Sequence, residues 1–178
     1  HYLEPAGLAK VHLYSDRPLP AWVRQLPVGS RYVVHRTGRV FRTPLPERFD
    51  DASALAAAGL VERPSGYGEW PVVMSSPERA ILELLDELPD RESFDNADKM
   101  FEGLATLSPR RLEGLLNACK NVKVKRLFFY FAARHRHAWA RRLDPAAFDL
   151  GSGKRVLVPG GKLDPQFQIT VPERRDGE

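Results

Sequence analysis

Between residues 75 and 122 the chain signals the start of one helix after another, and this run restricts the fold more than any other feature. Ser75 or Ser76 stands before Pro77 and Glu78, Ser93 before Phe94, and Ser108 before Pro109. A serine hydroxyl accepts from the open N–H groups of a first helical turn, and proline at the first position has no N–H to leave unpaired. An acid there meets the positive end of the helix dipole. Behind the first start, Ile81, Leu84, Leu85 and Leu88 recur at helical spacing until Pro89. Behind the second come Phe94, Ala97, Phe101 and Leu104, and behind the third Leu112, Leu115, Leu116 and Cys119. A fourth helix is expected from about Val122 to Leu143, with Val124, Leu127, Phe128, Phe131, His135 and Ala138 in its core-facing sector.

The flanks read differently. Residues 1–74 are β-rich: His12–Tyr14, Tyr32–His35, Val40–Phe41 and Trp70–Met74 are short β-branched or aromatic runs. Pro18, Pro20, Gly29, Gly38 and the Pro64–Gly68 cluster punctuate them. Within this stretch Asp51–Gly59 is alanine-rich, opens on an acid and ends on glycine, which predicts one short helix. After Asp144-Pro145, short strands are expected at Phe148–Leu150, Arg155–Val158 and Gln168–Val171. The expected fold class is α+β: a β-rich segment over 1–74, a four-helix centre over 75–143, and a β tail over 144–173 packed on the same domain.

Composition excludes several classes. One cysteine forms no internal disulfide, and no CxxC or Cys/His set offers a zinc site, so no metal or cofactor is expected. No apolar run reaches the length of a membrane helix and no signal-peptide pattern opens the chain, which points to a cytoplasmic protein with no membrane partner.

Charge is segregated. Glu78, Glu83, Asp86, Glu87, Asp90, Glu92, Asp95, Asp98 and Glu102 face only Arg79, Arg91 and Lys99 within residues 78–102, whereas residues 120–143 hold basic residues and no acid. Most of these acids are expected on solvated outer helix faces. On the fourth helix Lys123, Arg126, Tyr130, Arg134, His137 and Arg141 fall in one sector, a basic ridge about five turns long with an aromatic in it. With Lys120 and Lys125 it is the candidate surface for a nucleic acid or another partner. The competing account is a helix face that pairs with the acidic helices. His135 and His137 should lie on different sides of the helix and so share no metal. Gly151-Ser152-Gly153-Lys154 fails as a phosphate loop: Phe148 stands where the first glycine belongs, Arg155 replaces Ser/Thr, and a strand follows rather than a helix. Cys119 lies on an apolar stripe, and no catalytic set of residues is recognisable, so no enzyme is expected.

The run from Ser75 through Pro77-Glu78-Arg79-Ala80 to Asp86 resembles the helix-opening segment of AbiEi-type antitoxins. Leu107-Ser108-Pro109-Arg110-Arg111-Leu112, Val122–Phe128 and the tail from Asp149 through Gly161-Lys162-Leu163-Asp164-Pro165 to Pro172 are similar to the same proteins, in the same order. The resemblance implies the antitoxin component of a type IV toxin–antitoxin system active in abortive infection or phage defence. Its implied partners are a cognate AbiEii-type nucleotidyltransferase-like toxin and promoter DNA bound by the full-length protein, acting as a transcriptional autorepressor. The family's N-terminal winged helix finds no counterpart before Ser75, and that domain is expected to be absent from this chain. The alternative is a stand-alone nucleic-acid-binding regulatory module.

Overall fold

The structure is a computed structural model and describes residues 10–25, 31–65 and 70–173. The opening stretch before Lys10, the turn signal at Gly29 and the tip of the Pro64–Gly68 cluster lie outside the described residues. The chain divides into two compact units, residues 1–39 and 40–178. The secondary structure is mixed α+β.

In the first unit, β1 (Lys10–Tyr14) and β2 (Arg31–His35) pair in parallel, from Lys10 opposite Arg31 to Tyr14 opposite His35. His12 and His35 share a face, stack with ring centroids 5.1 Å apart and join Nδ1 to Nε2 at 2.9 Å.

The second unit begins with Val40 and Phe41, expected as a strand. They form instead a single bridge, Phe41 opposite Cys119, flanked by Lys120 N–H donating to Val40 O. Helix α1 (Ala52–Ala57) starts where Asp51 accepts from the N–H groups of Ser53 and Ala54. It stops at Gly59, whose φ of +70° favours glycine and where a Cβ would also press on the Leu115 methyls at 2.9 Å. Strand β3 (Leu60–Pro64), absent from the sequence reading, pairs antiparallel with β4 (Pro71–Ser75).

The four central helices follow: α2 (Pro77–Glu87), α3 (Phe94–Gly103), α4 (Pro109–Ala118) and α5 (Val122–His135). Ser76, Ser93 and Ser108 cap the first three through their hydroxyls, and Asn121 caps α5. Their apolar stripes meet in one core: Leu82, Leu85, Phe101, Leu112, Leu116, Leu127 and Phe128 are fully buried. Phe101 stacks on Phe131 at 5.1 Å and Phe129 packs on Phe148 at 5.4 Å, so α5 is covered on one side by α3 and on the other by the tail.

Helix α5 is shorter than its periodicity predicts. Arg136 closes it in the left-handed conformation, and residues 140–142 form only a 3-10 turn, which leaves Ala138 exposed rather than in the core. The tail likewise has less strand than expected. Residues 145–147 form a 3-10 turn, Arg155 makes a lone bridge to Ile169, and the ladder is β5 (Lys162–Asp164) against β6 (Ile169–Val171).

The acids of α2 correct a second expectation. Glu78, Glu83, Asp86 and Glu87 are buried rather than solvated. Glu78 accepts from Ser108 N–H at 2.9 Å and from the Arg111 guanidinium at 3.0 Å, tying the start of α4 to the start of α2. Burial works to raise its pKa, but these bonds to the charged form outweigh it and hold the carboxyl below its ordinary value. A depressed carboxylate contributes stability above its unfolded pKa and loses it as pH falls through the folded one. Glu78→Gln should therefore lower stability at pH 7 by about 1–3 kcal/mol and flatten the acid limb. Urea midpoints at pH 7 and pH 4 check this, and a variant whose midpoint falls as steeply with acid as wild type contradicts it.

Candidate binding surface

The eight candidate residues do not assemble into one free cationic face. Arg126, only 3% exposed, extends from α5 beneath the tail, donating Nε–H to Leu150 O at 2.6 Å and Nη1–H to Gly153 O at 2.6 Å and Gln168 O at 3.2 Å. Burial, then the neighbouring charge of Arg155, pulls its pKa below the ordinary guanidinium value. Lys123 donates Nζ–H to Asp86 O at 2.8 Å and Leu88 O at 2.6 Å, closing the open carbonyls at the end of α2. Arg134 pairs with Asp98 at 3.0 Å and donates to the Tyr130 hydroxyl at 3.1 Å. Lys125 is buried and Tyr130 half-buried.

His135 and His137 differ most from expectation, because the helix ends between them. Their rings stack 6.0 Å apart. His135 Nε2–H reaches Asp98 at 2.8 Å, and His137 Nε2–H reaches Phe101 O at 2.7 Å. Trp139 Nε1–H follows with a bond to Leu104 O at 2.6 Å. The segment after α5 thus caps the end of α3 residue by residue. Of the eight, Lys120 and Arg141 remain exposed, Lys120 beside the Phe41–Cys119 bridge and Arg141 on the 3-10 turn.

One cleft lies on this side of the unit. It is an open groove of about 480 Å³ in which Tyr130, Ala133, Arg134 and Arg136 from the end of α5 face Asp164 at the end of β5 and Gln166 and Phe167 from the β5–β6 turn. A larger open depression at the start of α1 is lined by Glu47, Arg48, Asp50 and Asp51; there Arg48 pairs with Asp50 at 2.5 Å and Asp51 is the helix cap. Arg136, on the rim of this groove, is not among the eight candidates; in the sequence it is one more cation until the helix end is placed. Cys119 is 1% exposed, and burial pushes its thiol pKa up, away from reactivity. The Gly151–Lys154 segment is a loop whose Gly153 carbonyl is held by Arg126. Among the described residues no group of three or more His, Cys, Asp and Glu could hold a metal ion, and no helix is long and apolar enough to cross a membrane.

No curated protein and no solved structure matches the chain significantly. The sequence pattern of one family, described as transcriptional regulator, AbiEi antitoxin, type IV TA system, matches residues 8–172. That span contains both flanks and the whole helical centre, including the Ser75–Asp86 segment whose side chains tie α2 to α1, β4 and α4. The chain belongs to the AbiEi antitoxin family of transcriptional regulators from type IV toxin–antitoxin systems.

Proposed function

We propose that this chain is the part of an antitoxin that counteracts a nucleotidyltransferase-like toxin of the AbiEii type in the cytoplasm. Through the full-length protein it would also contribute to autorepression at promoter DNA. The observation that carries the reading is the family match over residues 8–172. Its role is recognition, and none of its residues is assigned to making or breaking bonds. The candidate contacts narrow to the exposed cations Lys120, just before the start of α5, and Arg141, beyond its end, each of which would meet the partner separately. Lys123 and Arg134 would act one step back, holding α5 to α2 and α3, and so would Arg126, by holding the tail to α5. Because those three already have internal partners, a stand-alone module gripping phosphates with the whole face has less to recommend it.

Co-expression of the full-length protein with the toxin encoded beside it tests both levels. Wild type is expected to restore growth. Lys120→Glu with Arg141→Glu should reduce colony recovery by about tenfold or more, as reversed contacts at an interface do, with the melting temperature unchanged. Failure of wild type to restore growth would remove the antitoxin reading. Full recovery with the double variant would leave the antitoxin reading standing and move the surface elsewhere.

A further inference from the structure

Arg126 carries a full positive charge beneath the tail and meets no negative one. It is 3% exposed, and its partners are the backbone carbonyls of Leu150, Gly153 and Gln168. Among the described residues no carboxylate pairs with it, and its Nη2 bonds nothing. Carbonyl dipoles offset part of that charge, but a guanidinium withdrawn from water without a counter-ion remains costly.

A second guanidinium adds to the charge instead of relieving it. Arg155 N–H donates to Gln168 O at 2.8 Å, the same oxygen that Arg126 Nη1–H reaches at 3.2 Å, so the Arg155 backbone lies beside the Arg126 head. Burial and then the Arg155 charge lower the Arg126 pKa. Lys154 precedes Arg155 in the loop; both are exposed, and among the described residues their side chains bond nothing. Asp149, the acid nearest to the loop in sequence, is exposed and accepts from Gly151 N–H at 2.8 Å, with no ion pair to these cations among the described residues. The backbone repeats the imbalance. The N–H groups of Ser152, Gly153 and Lys154 have no partner among the described residues, and a Cβ on Gly153 would meet nothing within 4 Å, so the space beside it is open. Exposed cations are ordinary; a buried guanidinium kept beside another, with no acid brought to either, is not. Donors in this excess fit an anion with several charged oxygens, and a guanidinium fork beside an ammonium suits phosphate.

We propose that the 151–155 loop over Arg126 binds a phosphate group, which Lys154 and Arg155 hold from the surface while Arg126 supplies charge from below. This is not a nucleotide P-loop: no helix follows it, and side chains supply the charge. The same chemistry serves free phosphate and a nucleic-acid backbone, and the experiment separates them. The inference does not rest on the antitoxin reading and stands or falls without it.

The whole chain and a Lys154→Ala, Arg155→Ala double variant are melted in sodium phosphate and in sodium chloride at equal ionic strength. The variant retains the backbone bonds of Arg155 within the tail, and general salting effects act on both proteins alike. On passing from chloride to phosphate, wild type is expected to gain at least about 2 °C more than the variant. In chloride the variant should melt no lower than wild type, because the like charge beside Arg126 is gone. Fluorescence anisotropy with a short duplex DNA of arbitrary sequence is the second arm. If the phosphate belongs to a nucleic-acid backbone, the variant should bind about tenfold or more weakly, with a salt slope reduced by about two. A difference in either arm supports the site and identifies its ligand. Equal phosphate responses together with equal DNA binding would overturn the proposal. So would a variant that melts several degrees lower in chloride, since Lys154 and Arg155 would then be kept for the fold.

Discussion

Arg126→Ala is expected to release the tail from α5 and to destabilise the second unit by about 2–4 kcal/mol, the loss of hydrogen bonds from a buried charged donor with no ion pair to break. In place of a carboxylate, this guanidinium collects the carbonyls of Leu150, Gly153 and Gln168, three points of a tail with little ladder of its own. Without the arginine the carbonyls of Leu150 and Gly153 lose this donor, while Gln168 O keeps the Arg155 N–H at 2.8 Å, and each hydrogen bond lost from a charged donor costs about 1.5–3 kcal/mol. Arg126→Lys retains charge and length but offers no planar fork and cannot span all three, so it should recover less than half of the loss. Urea unfolding gives the magnitude, and hydrogen exchange at Thr170 and Arg155, whose amides donate within the tail, gives the location. An alanine variant with wild-type stability and protected tail amides would show that the Phe129, Phe148 and Phe167 packing alone holds the tail.

The same residue marks the boundary between what was legible in the sequence and what was not. Ser76-Pro77, Ser93, Ser108-Pro109 and Asp51 announced their helices correctly, because a cap is a bond between residues two or three apart and leaves its signature locally. Gly59 announced a stop for the same reason. The end of α5 was hidden, since an arginine closes it and the apolar pattern continues through Ala138. The tail has less strand than its composition suggests, because Phe148–Leu150 is held by Arg126, and of Arg155–Val158 only Arg155 bridges to β6 while Leu157 and Val158 donate to the Thr170 hydroxyl. The basic ridge and the acidic run were both visible as charge. Their fate was not, because Lys123 finds its carbonyls on α2 and Glu78 its donors on α4, some thirty residues away in each case. Periodicity gives the direction of a side chain from its helix axis and is silent on what the rest of the fold brings to meet it.

The Ser75–Asp86 segment, one of those in which the family resemblance lies, gives the other large expected effect: Arg79→Ala should destabilise the second unit by about 3–5 kcal/mol. Arg79 is 3% exposed and makes contact in three directions. Its Nε–H bonds Glu83 at 2.7 Å, its Nη1–H bonds Ala58 O at 2.7 Å at the end of α1, and its guanidinium lies 4.4 Å from the centre of the Phe41 ring. Glu83 in turn accepts from the Ser75 hydroxyl at 2.7 Å, so one ion pair ties α2 to α1 and to β4. Removing the arginine leaves a buried carboxylate beside an orphaned carbonyl. If the loss comes mainly from that abandoned charge, Arg79→Met combined with Glu83→Leu should be more stable than Arg79→Ala by about 1–3 kcal/mol, as apolar replacement of buried pairs tends to be. It should still fall short of wild type, because Ala58 O and Ser75 Oγ have lost their partners. The comparison separates two roles for the pair, and the urea midpoints of the three proteins decide it. A double variant no better than Arg79→Ala would place the arginine's contribution in its bond to α1 and its contact with Phe41, and would make the carboxylate a bystander.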